Sequence, residues 1–283
     1  MHPDRLRVSV GPGSLAVTRY GHADRAVLLL HGFPLSSFSW RLVAPRLAHA
    51  GWMAIVPDLL GHGESDRPLD APIDPASQAG WVREAMGALG LARVAVVGHD
   101  LGGLVATLLA ERSPDAVAHL VLVSPLAGTA LPPGDVRDLQ RDSGRIALRL
   151  AQEQVGAAEL IDALLRRRTQ AGAALDPRVV AGVTAPFIGR EGVRQLLALA
   201  RSLEPGAAWR GEGIGVRSPT LMLHGEHEDN HGTEAALEQA RAMGARTARI
   251  PGALALAPEE APEALGGLIL EFLSSSDTVS ATT

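Results

Sequence analysis

The chain repeatedly strings together four to six apolar residues and then stops at a glycine or proline. Residues 26–30 (AVLLL) end at His31-Gly32-Phe33-Pro34, and residues 52–56 (WMAIV) end at Pro57-Asp58. Residues 93–97 (RVAVV) break at Gly98, residues 119–123 read HLVLV, residues 219–223 run into His224-Gly225, and a shorter run covers 248–250. Runs of this length without polar alternation read as strands buried on both faces. Helix-competent stretches separate them at 40–50, 75–89 and 101–112. Strands that alternate with helices predict βαβ units and a mostly parallel sheet flanked by helices, an α/β fold.

The alternation stops between residues 126 and 215, where amphipathic helical patterns at 146–155, 160–168 and 192–203 take over. Because this stretch separates two strands of one sheet, it is expected to be a helical lid (126–215) inserted into a core formed by 1–125 and 216–273. The Ser/Thr-rich residues 274–283 are expected to be a disordered tail.

Composition narrows the function classes. The 283 residues are 46% hydrophobic, enough for a large core, but only 3% aromatic, with Tyr20 the one tyrosine. A net charge of −5 without a basic patch argues against nucleic acid as a partner. The densest basic run, Arg166-Arg167-Arg168, reads as a solvated helix face. With no cysteine, a disulfide, a thiolate metal site and a cysteine nucleophile are excluded. No apolar run is long enough to span a bilayer and no signal peptide is visible, so a cytoplasmic monomer or homodimer is expected, with no membrane partner. The glycine-rich stretches at 11–13 and 211–215 do not follow a strand and open a helix, so they read as turns or linkers and no cofactor is implied.

The chemistry concentrates at Gly98-His99-Asp100-Leu101-Gly102-Gly103, between a buried strand and a helix. This has the form of a nucleophile elbow, G-x-Nuc-x-G. The central residue takes a strained turn, the flanking glycines clear room for it, and the next N–H faces developing negative charge from a helix N-terminus. The bland alternative is a tight turn whose aspartate caps the helix.

Together with His31-Gly32-Phe33-Pro34, the loop 58–65 (DLLGHGES) and Leu223-His224-Gly225-Glu226-His227-Glu228, the elbow resembles the α/β-hydrolase superfamily over nearly all of the chain except the lid and tail. Within it, GHDLGG with HGFP looks like the branch of epoxide hydrolases and haloalkane dehalogenases. The resemblance implies an aspartate nucleophile at Asp100 and oxyanion donors on Phe33 and Leu101. It also implies a histidine that activates water against the alkyl ester, and a carboxylate that orients that histidine.

The chain departs from that pattern. In Pro251-Gly252-Ala253-Leu254-Ala255-Leu256-Ala257-Pro258-Glu259 the histidine position falls on Ala255 and the glycine before it on Leu254. The acid position holds Glu228, which could orient a base but reads better as a surface or network carboxylate. His227 and His231, on the loop after the fifth run, are the candidates for a displaced base. His31, His62 and His99 read as structural, and the cluster from Glu226 to His231 is too irregular for a metal site, so no metal is expected. The lid has no tyrosine to assist an epoxide oxygen, Leu101 stands where dehalogenases of the branch carry an indole donor, and Trp209 is the one lid tryptophan.

His31, Phe38, Leu126, Phe187, Trp209, Leu254 and Ala255 are the expected pocket lining, suited to a small hydrophobic substrate. Three functions remain. Asp100 could act as general acid or base in a non-hydrolytic reaction (elimination, cyclisation or isomerisation), burial raising its pKa and N–H donors opposing that. The chain could be an Asp-nucleophile hydrolase of epoxides, esters or carbon–halogen bonds with a displaced base. It could also be an inactive small-molecule-binding protein.

Overall fold

The computed structural model describes residues 2–68, 70–126, 134–141, 157–169, 175–203, 215–228 and 233–280. Eight strands form one sheet in the order β1-β2-β4-β3-β5-β6-β7-β8. They are β1 (Asp4–Val10), β2 (Gly13–Tyr20), β3 (Ala26–Leu30), β4 (Met53–Pro57), β5 (Val94–His99), β6 (Val117–Val123), β7 (Thr220–Gly225) and β8 (Arg246–Ile250). All neighbours from β4 to β8 run parallel, while β1–β2 and β2–β4 are antiparallel. The fold is that of an α/β hydrolase, as the sequence predicts.

The apolar runs sort their side chains by strand pleat into two layers. In β3, Leu28 and Leu30 join one core cluster and Val27 and Leu29 the other. In β5, Val96 faces the first and Ala95 and Val97 the second. The first layer is covered by α2 (Pro75–Ala88) and α3 (Leu101–Arg112), and the second by α1 (Ala44–His49) and the last helix.

The antiparallel hairpin β1–β2 is not visible as an apolar run. In β1 (DRLRVSV) polar residues alternate with apolar ones, and the edge strand buries only part of its surface. Its turn falls at Gly11-Pro12, within the stretch read as a turn or linker.

Between β6 and β7 the described segments are helical: α4 (Gly134–Arg141), α5 (Ala158–Arg167), α6 (Pro177–Thr184) and α7 (Gly189–Ser202). Residues 146–155, for which a helix is expected, lie outside the described residues. After β7 come α8 (Thr233–Ala242), the short α9 (Ala257–Glu260) and α10 (Pro262–Ser280), so a helix covers most of the segment whose composition predicts disorder. None of the described helices is long and apolar enough to cross a membrane.

The turn from β5 into α3 fixes the site. Asp100 adopts φ 51° and ψ −115°, one of two non-glycine residues with positive φ among those described. A Cβ on Gly98 would stand 2.2 Å from the carbonyl oxygen of Gly102, and one on Gly102 would stand 2.2 Å from that of Leu30. These obstacles are backbone and cannot rotate away, so Gly98→Ala and Gly102→Ala are each expected to cost at least about 2 kcal/mol in chemical denaturation. Gly80, exposed within α2 with nothing near its missing Cβ, is the control: Gly80→Ala should stabilise by about 0.5–1 kcal/mol.

Candidate active site

The strained turn carries the Asp100 side chain away from its own helix and across to the loop after β3. Asp100 makes no side-chain cap bond to α3, so the helix-capping alternative is overturned. Its Oδ2 accepts instead from the Phe33 N–H at 2.7 Å, the N–H that the resemblance names as an oxyanion donor. Asp100 is 8% exposed, and its carbonyl accepts from Leu126, Gly103 and Leu104 N–H, which seats Leu126 against the elbow. Leu101, the first residue of α3, has an N–H with no intrahelical acceptor by helix geometry.

The second partner of Asp100 comes from the helical stretch between β6 and β7. Arg168, just past α5, is 9% exposed; its Nη1 donates to the Phe33 carbonyl at 2.5 Å and lies 3.4 Å from Asp100 Oδ2. The reading of Arg166-Arg167-Arg168 as one solvated face is thus corrected. Arg166 and Arg167 are exposed, Arg166 paired with Asp162 on the same helix, but Arg168 is inside. Successive helical residues turn by about 100°, so three in a row span more than half the circumference and cannot share a face. That periodicity was the available signal for Arg168.

Three histidines build the floor. The Leu59 N–H donates to His31 Nε2 at 2.9 Å, so the His31 proton sits on Nδ1 and is donated to the Gly32 carbonyl. Burial lowers the His31 pKa, and that of His62, edge-on to it at 5.0 Å, falls well below the ordinary value for the same reason. His31 is therefore fully occupied in tying the loop after β3 to the loop after β4. His99 Nε2 lies 2.8 Å from the Ala255 carbonyl and must donate to it; burial lowers this histidine's pKa as well. That bond fastens the loop after β8 to the residue preceding Asp100. The Glu260 carboxylate secures the same loop by accepting from the Leu254 and Leu256 N–H groups, leaving Leu254 and Ala255 half-buried.

Glu228 is a buried network carboxylate, 3% exposed, which removes the surface alternative. Its Oε2 accepts from Ser124 Oγ at 2.7 Å and from the Gly225 N–H at 3.2 Å, with His224 Nδ1 at 3.7 Å. Burial pushes its carboxyl up, but His224, Ser124 and the Gly225 N–H outweigh burial and hold it below 4.5. Ser124 reaches it from the end of β6 with φ 42°.

The other expected residues scatter. His227 is exposed, and its N–H is bonded to the Ala253 carbonyl. His231 and Trp209 lie outside the described residues. Phe187 is buried among the helices between β6 and β7. Phe38 is not at Asp100: it is half-buried beneath the Arg41 guanidinium and lines a groove of about 410 Å³ with Tyr20, Ser37 and Pro186 that includes neither Asp100 nor Phe33.

A family model described as the alpha/beta hydrolase fold matches residues 25–231, well over half of the chain. The chain belongs to the α/β-hydrolase fold family. Among curated relatives, a soluble epoxide hydrolase of a Corynebacterium strain is 40% identical over 102 residues, 36% of this chain and 35% of its own. A fluoroacetate dehalogenase of a Burkholderia species is 40% identical over 125 residues, 42% of this chain and 40% of its own. These matches span only about a third to two fifths of each relative's length. Over nearly the whole chain, a putative epoxide hydrolase from Pseudomonas aeruginosa superposes with a TM-score of 0.73 at 27% identity, covering 98% of this chain and 97% of that one. The haloalkane dehalogenase DbeA of Bradyrhizobium elkani gives 0.80 at 24% identity, covering 98% and 100%, a likeness of fold. The chain is thus related to epoxide hydrolases and dehalogenases.

The Glu228 network makes a pH-dependent prediction. A carboxyl held lower in the folded state than the ordinary 4.5 contributes stability above that value and loses it as pH falls through its depressed one. Replacing Glu228 by Gln should therefore cost about 1–3 kcal/mol near neutral pH, and the gap to wild type should narrow below pH 4.5 in denaturation series.

Proposed function

We propose that this chain is an enzyme in which Asp100 acts as general acid or base on a small, mainly apolar substrate in a non-hydrolytic reaction: elimination, cyclisation or isomerisation. The observation that carries the reading is the pairing around the elbow. Asp100 Oδ2 is held on the Phe33 N–H, while the loop after β8 is fastened to His99 through the carbonyl of Ala255. By the family resemblance, a methyl group then stands where a water-activating imidazole is expected, and an alkyl ester on Asp100 would have no base to clear it.

Phe33 and Leu101 N–H groups remain suited to a developing oxyanion. The carboxylate that would orient a histidine, Glu228, is instead committed to Ser124 and Gly225. His227, exposed to solvent, gives little support to a displaced base. A carboxylate beside oxyanion donors and without a water-activating partner fits proton transfer better than hydrolysis.

The test uses styrene oxide, fluoroacetate and 4-nitrophenyl acetate in water enriched in oxygen-18. The wild type is expected to show no multiple-turnover release of oxygen-18-labelled product above the buffer rate. Steady labelled release that Asp100→Asn abolishes would replace this reading with aspartate-nucleophile hydrolysis. An ester that accumulates on Asp100 in intact-mass spectra, and that Ala255→His clears, would identify a stranded hydrolase.

A further inference from the structure

Away from the elbow, the groove beside Phe38 and Arg41 holds a buried carboxylate that no cation matches among the described residues. We infer that this groove is a second binding site, and that its ligand is a primary ammonium carried on a small apolar or aromatic body.

The groove is built where β2 meets the loops after β3 and β4. Thr18 and Tyr20 stand two apart on β2 and so share one face of it. Asp58, just past β4, donates its N–H to the Ala16 carbonyl at 2.8 Å and so lies beside the same strand. Phe38 and Pro186 close the groove from the loop after β3 and from the short turn after α6. Its volume of about 410 Å³ is within the range of small-molecule sites. The lining includes neither Asp100 nor Phe33, so the site is separate from the elbow.

Charge selects the ligand. Asp58 is 3% exposed, and its carboxylate has two neutral donors, the Ser37 N–H at 2.6 Å on Oδ1 and the Glu64 N–H at 2.8 Å on Oδ2. His31 does not serve as a counter-charge, because its Nε2 accepts the Leu59 N–H and its ring is neutral. The two guanidiniums that line the groove are already matched, Arg41 by the Glu259 carboxylate at 2.9 Å and Arg5 by Glu64 at 3.4 Å. The charge left over is negative and belongs to Asp58, and buried charges are ordinarily paired. An anionic ligand would add to that charge, and a neutral one would leave it uncancelled.

The remaining groups suit three N–H donors. Each Asp58 oxygen keeps a lone pair beyond the one it uses. The hydroxyls of Thr18 and Tyr20 make no hydrogen bond among the described residues, although Thr18 is only 5% exposed. A primary ammonium supplies a donor for each of the three side chains, while the Tyr20 and Phe38 rings cover its carbon body. A trimethylated nitrogen keeps the charge but has no N–H to give.

Isothermal titration calorimetry at one ionic strength tests the inference with 2-phenylethylammonium, its N-trimethyl derivative, 2-phenylethanol and phenylacetate. The primary ammonium is expected to bind about tenfold or more tightly than the alcohol or the trimethyl derivative, and phenylacetate is expected not to bind. Thr18→Val and Tyr20→Phe should each weaken the ammonium by about threefold, the size of one lost hydrogen bond. Asp58→Asn should erase the preference for ammonium over alcohol. Because Asp58 also holds two loops, thermal melts establish whether that variant is folded, and the double variant Thr18→Val with Tyr20→Phe decides if it is not. Binding to Asp100→Asn should match wild type. The inference is overturned by failure of the ammonium to bind, or by equal binding of the alcohol, the trimethyl derivative or phenylacetate. Undiminished affinity in the folded double variant would overturn it too, as would loss of binding in Asp100→Asn, which would seat the amine at the elbow.

Discussion

Everything at the site follows from how closely α3 is seated on the end of the sheet. The backbone of Gly102 comes so near Leu30 that a single added carbon would overlap the Leu30 carbonyl, and Gly98 is as tightly placed against Gly102. With that approach fixed, the turn between the two glycines holds its central residue, Asp100, at φ 51°. The strain sets where the carboxylate points: across the end of β3 to Phe33, and not back along its own helix. Strain held in place by rigid neighbours is a common feature of reactive sites.

Where the carboxylate ends up determines the rest. A buried anion beside a single N–H is under-compensated, and Arg168, just past α5, makes up the difference. Its anchorage on the Phe33 carbonyl ties the helical stretch between β6 and β7 to the loop after β3 as well as to the elbow. Glu228, although buried as deeply, is compensated locally by Ser124, Gly225 and His224 and belongs to a separate network.

Much of the fold was readable because buried parallel strands leave a plain mark. The run 26–30 coincides with β3, residues 101–112 with α3, and the other core strands fall within a few residues of their apolar runs. The edge hairpin was not readable, because β1 alternates arginines with apolar residues and looks like neither a core strand nor a helix. Asp100 and Phe33 could be found from local motifs, since strand-to-helix turns with fixed glycines recur at fixed spacing. Arg168 could not be found that way: periodicity shows that the three arginines cannot all share one solvated face, but which of them faces inward is a tertiary matter. Phe38 shows the converse: it is near the oxyanion motif in sequence, yet it turns toward Arg41 and a different groove.

The histidine floor gives the mouth of the site an unusual kind of fastening. His31 bridges the loops after β3 and β4, and His99 bridges the elbow to the loop after β8. Each is a cross-link between segments far apart in sequence, in a chain that has no cysteine to make one. Such rivets are indifferent to oxidants and reductants, so the rim should keep its shape in either kind of surroundings. Acid separates the two: His99 donates to the Ala255 carbonyl and keeps that donor when protonated, whereas protonating His31 would set two donors against each other at the Leu59 N–H.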